Sequence, residues 1–303
     1  MTLQKTSKKL LKTTELTKQD LRTLKNLVEE CQQADGFRIK LYWNILADRQ
    51  LPEFDDLFYY QNGKLIGYLA LFAFKEEEAE LNDIIHPKHR RQGIFSYLLQ
   101  EAILDLPKRG IRSIQIICNQ QAQAALNFVK KLPETQYDHS EYQMIATRNP
   151  SFTEVPTIEL QLATKDDIPT LARIDNACFN TTFERVIYRF LSNMKELNRT
   201  TWFAKVNGTI IGKMHIRMDE GNKAFIHDLC VLPEFRRKHY AAGMVLTIMD
   251  RMKKKGASQV YLDVLADNVN AIQLYEHCGF EITSKNDFWK IPIHSLHELF
   301  SKR

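Results

Sequence analysis

The sequence predicts an α/β protein of two tandem domains, each a mixed, mostly antiparallel sheet flanked by helices, and three observations lead there. The first is a repeat. The segments IIHPKHRRQGIF, from Ile84 to Phe95, and CVLPEFRRKHYA, from Cys230 to Ala241, align without a gap, and Pro87 and Pro233 stand 146 residues apart. Gly110 and Gly256, each following a basic helical end, keep that offset. The second is turn chemistry: Asn207-Gly208 and Gly221-Asn222 separate alternating apolar runs, as in an antiparallel meander. The third is a change of period beyond Pro233, where Val245, Ile248, Met249 and Met252 fall on one helix face. A chain of 303 residues accommodates two domains of about 150 residues. The expected halves are 1–150 and 157–303, joined by Ser151 to Thr157, with breakers at Pro150 and Pro156.

The second half reads element by element. TIELQLA (Thr157 to Ala163) is a strand, Asp166-Asp167 opens a helix with Ile168, Leu171 and Ile174 at helical spacing, and a further helical stretch runs near 183–196. Three strands follow, TTWFAKV, TIIGKMHIRM and KAFIHDLCVL, then the helix that ends at Gly256 with basic residues in its last turn. SQVYLDVL is a strand, DNVNAIQLYEHC a helix, and FEITSKNDFWKI a closing hairpin. In the strand before Pro233, Ile226, Leu229 and Val231 are spaced by three and then two residues. One extra residue near His227-Asp228 restores the phase, which predicts a β-bulge and a strand parted from its neighbour, leaving a slot lined with backbone N–H and C=O groups.

Composition narrows the class further. With 44% hydrophobic and 26% charged residues but only 11 Gly and 9 Pro, the chain is neither disordered nor collagen-like. No run approaches the length of a membrane span, and the basic start MTLQKTSKKLL lacks a following apolar core, so a cytoplasmic location without a membrane partner is expected. Cys31, Cys118, Cys178, Cys230 and Cys278 form an odd set without CxxC spacing and are expected to be reduced, mostly buried thiols. His86 and His89 have ligand spacing but no Cys or carboxylate beside them in the turn, so no metal is expected. The net charge of +5 comes with no nucleic-acid-binding motif, and none is expected to bind. Phe54, Phe58, Tyr59 and Tyr60 read as sheet core.

Arg236-Arg237-Lys238-His239-Tyr240-Ala241 lies between the bulged strand and the next helix. Backbone N–H groups, a positive helix end and three cations converge there, a setting for phosphate, although a solvated basic loop has the same composition. With this turn, Val-x-Pro-x-x-Arg-x-x-x-x-Ala from Val231 to Ala241, then Leu262-Asp263-Val264, then Asn268-x-x-Ala271-x-x-Leu274-Tyr275-x-x-x-Gly279-Phe280 resemble the GNAT superfamily of acetyl-CoA-dependent N-acetyltransferases. The resemblance spans about 158–291 well and the first half more weakly, and with the duplication it implies a tandem GNAT protein whose active site lies in the second half.

The resemblance also implies roles. Arg236 through Ala241, and on into Ala242, correspond to the turn that holds the coenzyme A pyrophosphate. The backbone of Leu229, Cys230 and Val231 corresponds to the strand that pairs with the pantetheine arm and points an N–H at the thioester oxygen. Asn268 resembles a cofactor-contacting Asn, and Tyr275 the general acid that protonates the departing thiolate. His239 replaces a glycine, from which altered cofactor geometry is expected. Asp263, five residues before Asn268, matches the spacing of the base in members acting on ribosomal-protein N-termini. A salt-bridged Asp at a sheet edge reads equally well there, and Asp228 and His227 are reserve candidates. In the first half, Arg90, Arg91, Gln92 and Gly93 make a closer match to the turn, but Ile117 stands opposite Asp263 and, with a one-residue gap, Phe128 opposite Tyr275. That half is expected to bind coenzyme A, shape the acceptor pocket or support packing rather than to catalyse.

The activity so implied is direct transfer of an acetyl group from acetyl-CoA to a primary amine in a ternary complex. A non-catalytic acyl-CoA-binding or protein-interaction module on the same fold is the alternative. The regions that choose the acceptor, around Cys178 to Glu196 and Ser284 to Trp289, carry no readable code, and the oligomeric state stays open.

Overall fold

The computed structural model describes residues 7–47, 55–73, 77–152, 154–183, 186, 187, 190 and 198–302; Phe54 and most of the expected helix at 183–196 lie outside them. The chain divides into two compact units, one of Met1–Ser140 with Asn286–Arg303, the other of Glu141–Lys285. This partition differs from the halves 1–150 and 157–303 by two short segments. Residues 141–150 belong with the second unit and residues 286–303 with the first.

In the first unit the strands follow the order β1 (Lys8–Thr13), β2 (Asp56–Gln61), β3 (Lys64–Phe72), β4 (Glu78–Ile85), β5 (Ser113–Asn119) and the second part of β12 (Phe280–Pro292). Every neighbouring pair is antiparallel except β4 with β5. β3 is buried almost throughout because helices cover both of its faces. Tyr68, Ala70 and Phe72 pack with Leu24, Leu27, Val28 and Cys31 of α1 (Lys18–Asp35). Leu69 and Leu71 point the other way, into a core shared with α3 (Ile94–Ala102), α4 (Gln123–Val129) and α8 (Ile293–Ser301). A short α2 (Trp43–Ala47) follows α1. Phe58 and Tyr59 are buried as expected.

The second unit repeats the plan with the first part of β12 and with the strand order β6 (Gln136–Ala146, through its residues 141–146), β11 (Gln259–Leu265), β10 (Lys223–Val231), β9 (Thr209–Asp219), β8 (Arg199–Val206) and β7 (Glu159–Leu162). Again one pair, β10 with β11, is parallel. Asn207-Gly208 and Gly221-Asn222 make the hairpin turns, all four residues having positive φ. α5 (Ile168–Phe179) covers one face through Leu171 and Ile174, and α6 (Tyr240–Lys254) and α7 (Val269–His277) cover the other. Val245, Ile248 and Met252 are buried and Met249 partly so, the face that the sequence marks.

The closing hairpin is corrected. FEITSKNDFWKI and the following Pro292 form one thirteen-residue strand, β12, and the residues after it form a helix. Residues 286–292 pair without a break along β5, so the stretch runs on instead of folding back. The segment expected as a linker is packed rather than loose: Val155 joins the second core, and Phe152 sits between the rings of His239 and His277 at 5.9 and 5.6 Å. Among the described residues no helix is long and apolar enough to cross a membrane.

Leu296, near the end of the sequence, is wholly buried in the first unit's core. Leu296→Ala should cost about 2–5 kcal/mol of stability, and amide hydrogen exchange should report the lost protection in β2–β5 while β8–β11 keep theirs. Equal loss in both sets would contradict the partition.

Candidate active site

β10 and β11 are paired from Lys223 with Gln259 to Ile226 with Leu262, and no further. On its other edge β10 shifts register against β9 between His227 and Cys230, and Asp228 takes a left-handed backbone with φ of 49°. This is the predicted bulge, at the predicted residues. The first unit lacks this irregularity: β4 and β5 also pair over four residues, Glu78 with Ser113 to Leu81 with Ile116, but β4 keeps unbroken register with β3. Gly212 lies opposite Val231 where a Cβ would collide with the Cys230 carbonyl oxygen, so only glycine lets β9 follow the bulged strand this closely. Leu229, Cys230 and Val231 thus lie past the end of the β10–β11 ladder, on the strand part that borders the slot.

The turn beyond has nearly the same backbone in both units. Arg236 and Arg90 share φ of −67°, Arg237 and Arg91 have φ of 64° and 60°, and His239 and Gly93 are left-handed helix caps with φ of 55° and 79°. His239 in place of glycine therefore leaves the backbone of the turn unchanged. Its imidazole is exposed, its ring edge meets Phe152, and it adopts the glycine conformation at a cost of about 1–2 kcal/mol. Neither cap residue makes a side-chain bond to its helix, so the first-turn N–H groups, which include those of Tyr240, Ala241 and Ala242, remain open to an anion.

The arginines differ. Arg236 Nε donates to the Val231 carbonyl at 3.0 Å and Arg90 Nε to the Ile85 carbonyl at 3.0 Å. Asp35 also grips both terminal nitrogens of Arg90 at 2.6 and 2.7 Å. The first unit's turn is thus less available than its sequence promises. In the second unit Arg237 and Lys238 are exposed, with Lys238 near the Phe235 ring.

Asn268 caps α7, its Oδ1 accepting from the Ala271 N–H at 3.2 Å, which leaves its NH₂ group as the part able to reach a ligand. The cap of α4, Ala122, has the same dihedrals, −82° and 64° against −81° and 66°. This match requires no gap between the halves and corrects one correspondence: Val129, not Phe128, stands opposite Tyr275. Tyr275 packs on the helix side of the sheet, and burial pushes its phenol up to about 12, which keeps the hydroxyl protonated.

The opposite face carries the candidate bases. Asp263 is half-buried, one residue beyond the last β10–β11 pair, and accepts a long hydrogen bond from Gln143 at 3.4 Å. Asp228 accepts from His227 at 3.3 Å and lies 3.8 Å from His215. Burial lowers the His227 pKa, so the ring is neutral near pH 7. Behind them Lys213, fully buried, pairs with Asp175 at 2.7 Å and donates to His215 Nε2 at 2.8 Å, and His215 Nδ1 then donates to Thr201 at 2.7 Å.

The first unit has a cavity of about 590 Å³ between its parted strands, bordered by Asp83, Arg91, Gly93, Cys118 and Asn119. Asp83 is the functional candidate that the sequence reading missed. A single charge inside the otherwise apolar end of LNDII was the available signal.

Twice over, a sheet opens between its two parallel strands beside a basic turn and an uncapped helix start, which defines a tandem acyltransferase fold. The chain belongs to the acetyltransferase (GNAT) family, whose model matches residues 21–132 and 168–280. An N-alpha-acetyltransferase from Saccharolobus solfataricus is 28% identical over 134 residues, which cover 40% of this chain and 79% of that protein. A GCN5-related N-acetyltransferase from Sphaerobacter thermophilus shares the fold with a TM-score of 0.76 at 18% identity, covering 94% and 96% of the two chains. A tandem GNAT protein from the clavulanic acid biosynthesis pathway does so with a TM-score of 0.75 at 13% identity, covering 95% and 99%.

Burial pushes the Asp83 carboxyl up to about 7, with the nearby Arg90 charge pulling the other way. The native state then holds this proton more tightly than the unfolded chain, whose Asp titrates near 4, so its contribution makes stability fall as pH rises from about 4 to about 7. Asp83→Asn should raise stability against urea at pH 8 and change it little at pH 4. A variant that is less stable than the parent at pH 8 would show that the carboxylate is held by partners rather than penalised by burial.

Proposed function

We propose that the protein transfers an acetyl group from acetyl-CoA to a primary amine, directly within a ternary complex, at the second unit. The observation that carries this reading is the Asp228 bulge, which separates slot strand from ladder directly before the basic turn and across from the helix bearing Tyr275. Arg236, Arg237 and Lys238, with the open N–H groups from His239 to Ala242, suit a pyrophosphate. Leu229, Cys230 and Val231 offer backbone groups to an extended amide-bearing arm, and an N–H there suits the oxygen of a thioester. Bound acetyl-CoA supplies the activated acyl group and a thiolate leaving group.

The chain's own residues do the rest. Asn268 steadies the start of α7 through its Oδ1, which leaves its NH₂ group to donate to the cofactor. Tyr275, kept protonated by burial, gives its proton to the departing sulfur. The acceptor ammonium must lose a proton before it attacks. Asp263 and Asp228 border the parted strands on the same stretch, and neutral His227 beside Asp228 can take up the charge. Family membership and the N-acetyltransferase relative support the amine as acceptor. Five free cysteines agree with a cytoplasmic setting.

Acetyl-CoA should raise the melting temperature, and Arg236→Ala with Arg237→Ala should diminish the shift. An unchanged melting temperature at millimolar acetyl-CoA would remove the assignment. Tyr275→Phe should lower kcat by roughly 10²–10⁴-fold, toward the lower end because coenzyme A is a good leaving group, with little change in acetyl-CoA affinity. Initial rates should give intersecting double-reciprocal lines; parallel lines would indicate a covalent acyl-enzyme. Turnover that survives Tyr275→Phe but not Asp83→Asn would move the reaction to the first unit.

A further inference from the structure

Cys178, in the last turn of α5, lies beneath the end of the slot strand with its sulfur 3.6 Å from the Val231 carbonyl oxygen. That oxygen is the one that Arg236 Nε also reaches, at 3.0 Å. Cys178 packs against the side-chain cluster that contains Cys230, the residue just before Val231. Two thiols from different elements therefore share one cluster, Cys178 half-buried and Cys230 buried.

The first unit provides an internal control. Cys31 of α1 is 3.6 Å from the Ile85 carbonyl oxygen, and Arg90 Nε donates to that same oxygen at 3.0 Å. Ile85 and Arg90 are the repeat partners of Val231 and Arg236, so the device is the same. Two members differ. Ile84 stands where the second unit has Cys230, so Cys31 has no second thiol in that position. Asp35 also ties both terminal nitrogens of Arg90, whereas among the described residues no carboxylate pairs with Arg236. The electrostatics follow this difference. Burial pushes Cys31 up to about 11 and Cys118 and Cys278 up to about 12. The neighbouring Cys230 thiol, then Arg236 and the charge of Lys213, hold Cys178 below the usual thiol range despite its partial burial, and the Cys230 thiol is raised in turn.

We infer that Cys178 and Cys230 form a modification site, a dithiol that hydroperoxides convert to a disulfide joining α5 to the slot strand. The Cys178 thiolate attacks the outer peroxide oxygen, the O–O bond breaks, and water or an alcohol departs, leaving Cys178 as a sulfenic acid. The Cys230 sulfur then attacks the Cys178 sulfur as its own proton is lost; the S–S bond forms, the S–O bond breaks and water leaves. Two thiols lose two electrons in total, and one hydroperoxide gains them.

The test uses the full reduced chain, stoichiometric hydrogen peroxide, alkylation after unfolding, and peptide mapping by mass spectrometry. The expected product has lost two hydrogen atoms and yields one cross-linked peptide pair containing Cys178 and Cys230, with Cys31, Cys118 and Cys278 alkylated. Cys230→Ser should stop at a Cys178 sulfenic acid that dimedone traps, and Cys178→Ser should give neither product. Oxidation of Cys31 as fast as Cys178, or a Cys178 sulfenic acid that persists in the parent chain without a cross-link, would overturn the inference. So would no oxidation at all. Should Cys230→Ser fail to fold, the map of the parent chain and Cys178→Ser still decide.

Discussion

A hydrogen-bonded ladder that stops early governs the molecule. β10 and β11 run side by side for four residue pairs and then part while both strands continue, as do β4 and β5. Backbone groups beyond that point cannot be satisfied by the neighbouring strand, and buried backbone groups demand partners. The turn that follows is held against the open end by an arginine in each unit, through a bond from Nε to the last strand carbonyl. A cysteine on the helix beneath reaches the same oxygen. Slot, basic turn and helix start thus form one construction rather than three separate features.

Duplication has preserved this construction in the backbone and divided its chemistry among the side chains. The left-handed cap is a glycine in one unit and a strained histidine in the other. Arg90 is tied by a carboxylate, while Arg236 keeps its terminal nitrogens for other work. The second unit holds the half-buried phenol and the capping Asn, where the first has Val129 and Ala122. The first unit has a cavity bordered by the Asp83 carboxyl group.

What the sequence discloses depends on how local the cause is. The repeat and its offset could be read from Pro87, Pro233 and their arginines, and the bulge from the spacing of Ile226, Leu229 and Val231, because pleat phase is a neighbour-to-neighbour property. Asn207-Gly208 announced its turn for the same reason. The bond from Asp35 to Arg90 joins residues 55 apart and left no trace in either neighbourhood. Asp83 looked like any strand carboxylate, since its proton affinity comes from walls supplied by other segments. The Val129 correspondence needed the dihedrals of the cap, and the closing strand needed the pairing of Asn286 with Asn119, 167 residues away.

The assignment of residues 286–303 to the first unit reverses the usual order of birth on the ribosome. Domains ordinarily fold in the order in which they are made. Here β12, which pairs with β5, and α8, which fills the adjoining core, emerge only after residues 141–285 have been synthesised. The earlier-made unit must therefore wait with β5 and the Leu99, Leu106 and Ile114 side of its core uncovered, while the later-made unit already has all its strands. Premature release of the chain would leave the N-terminal portion, not the C-terminal one, in need of a chaperone.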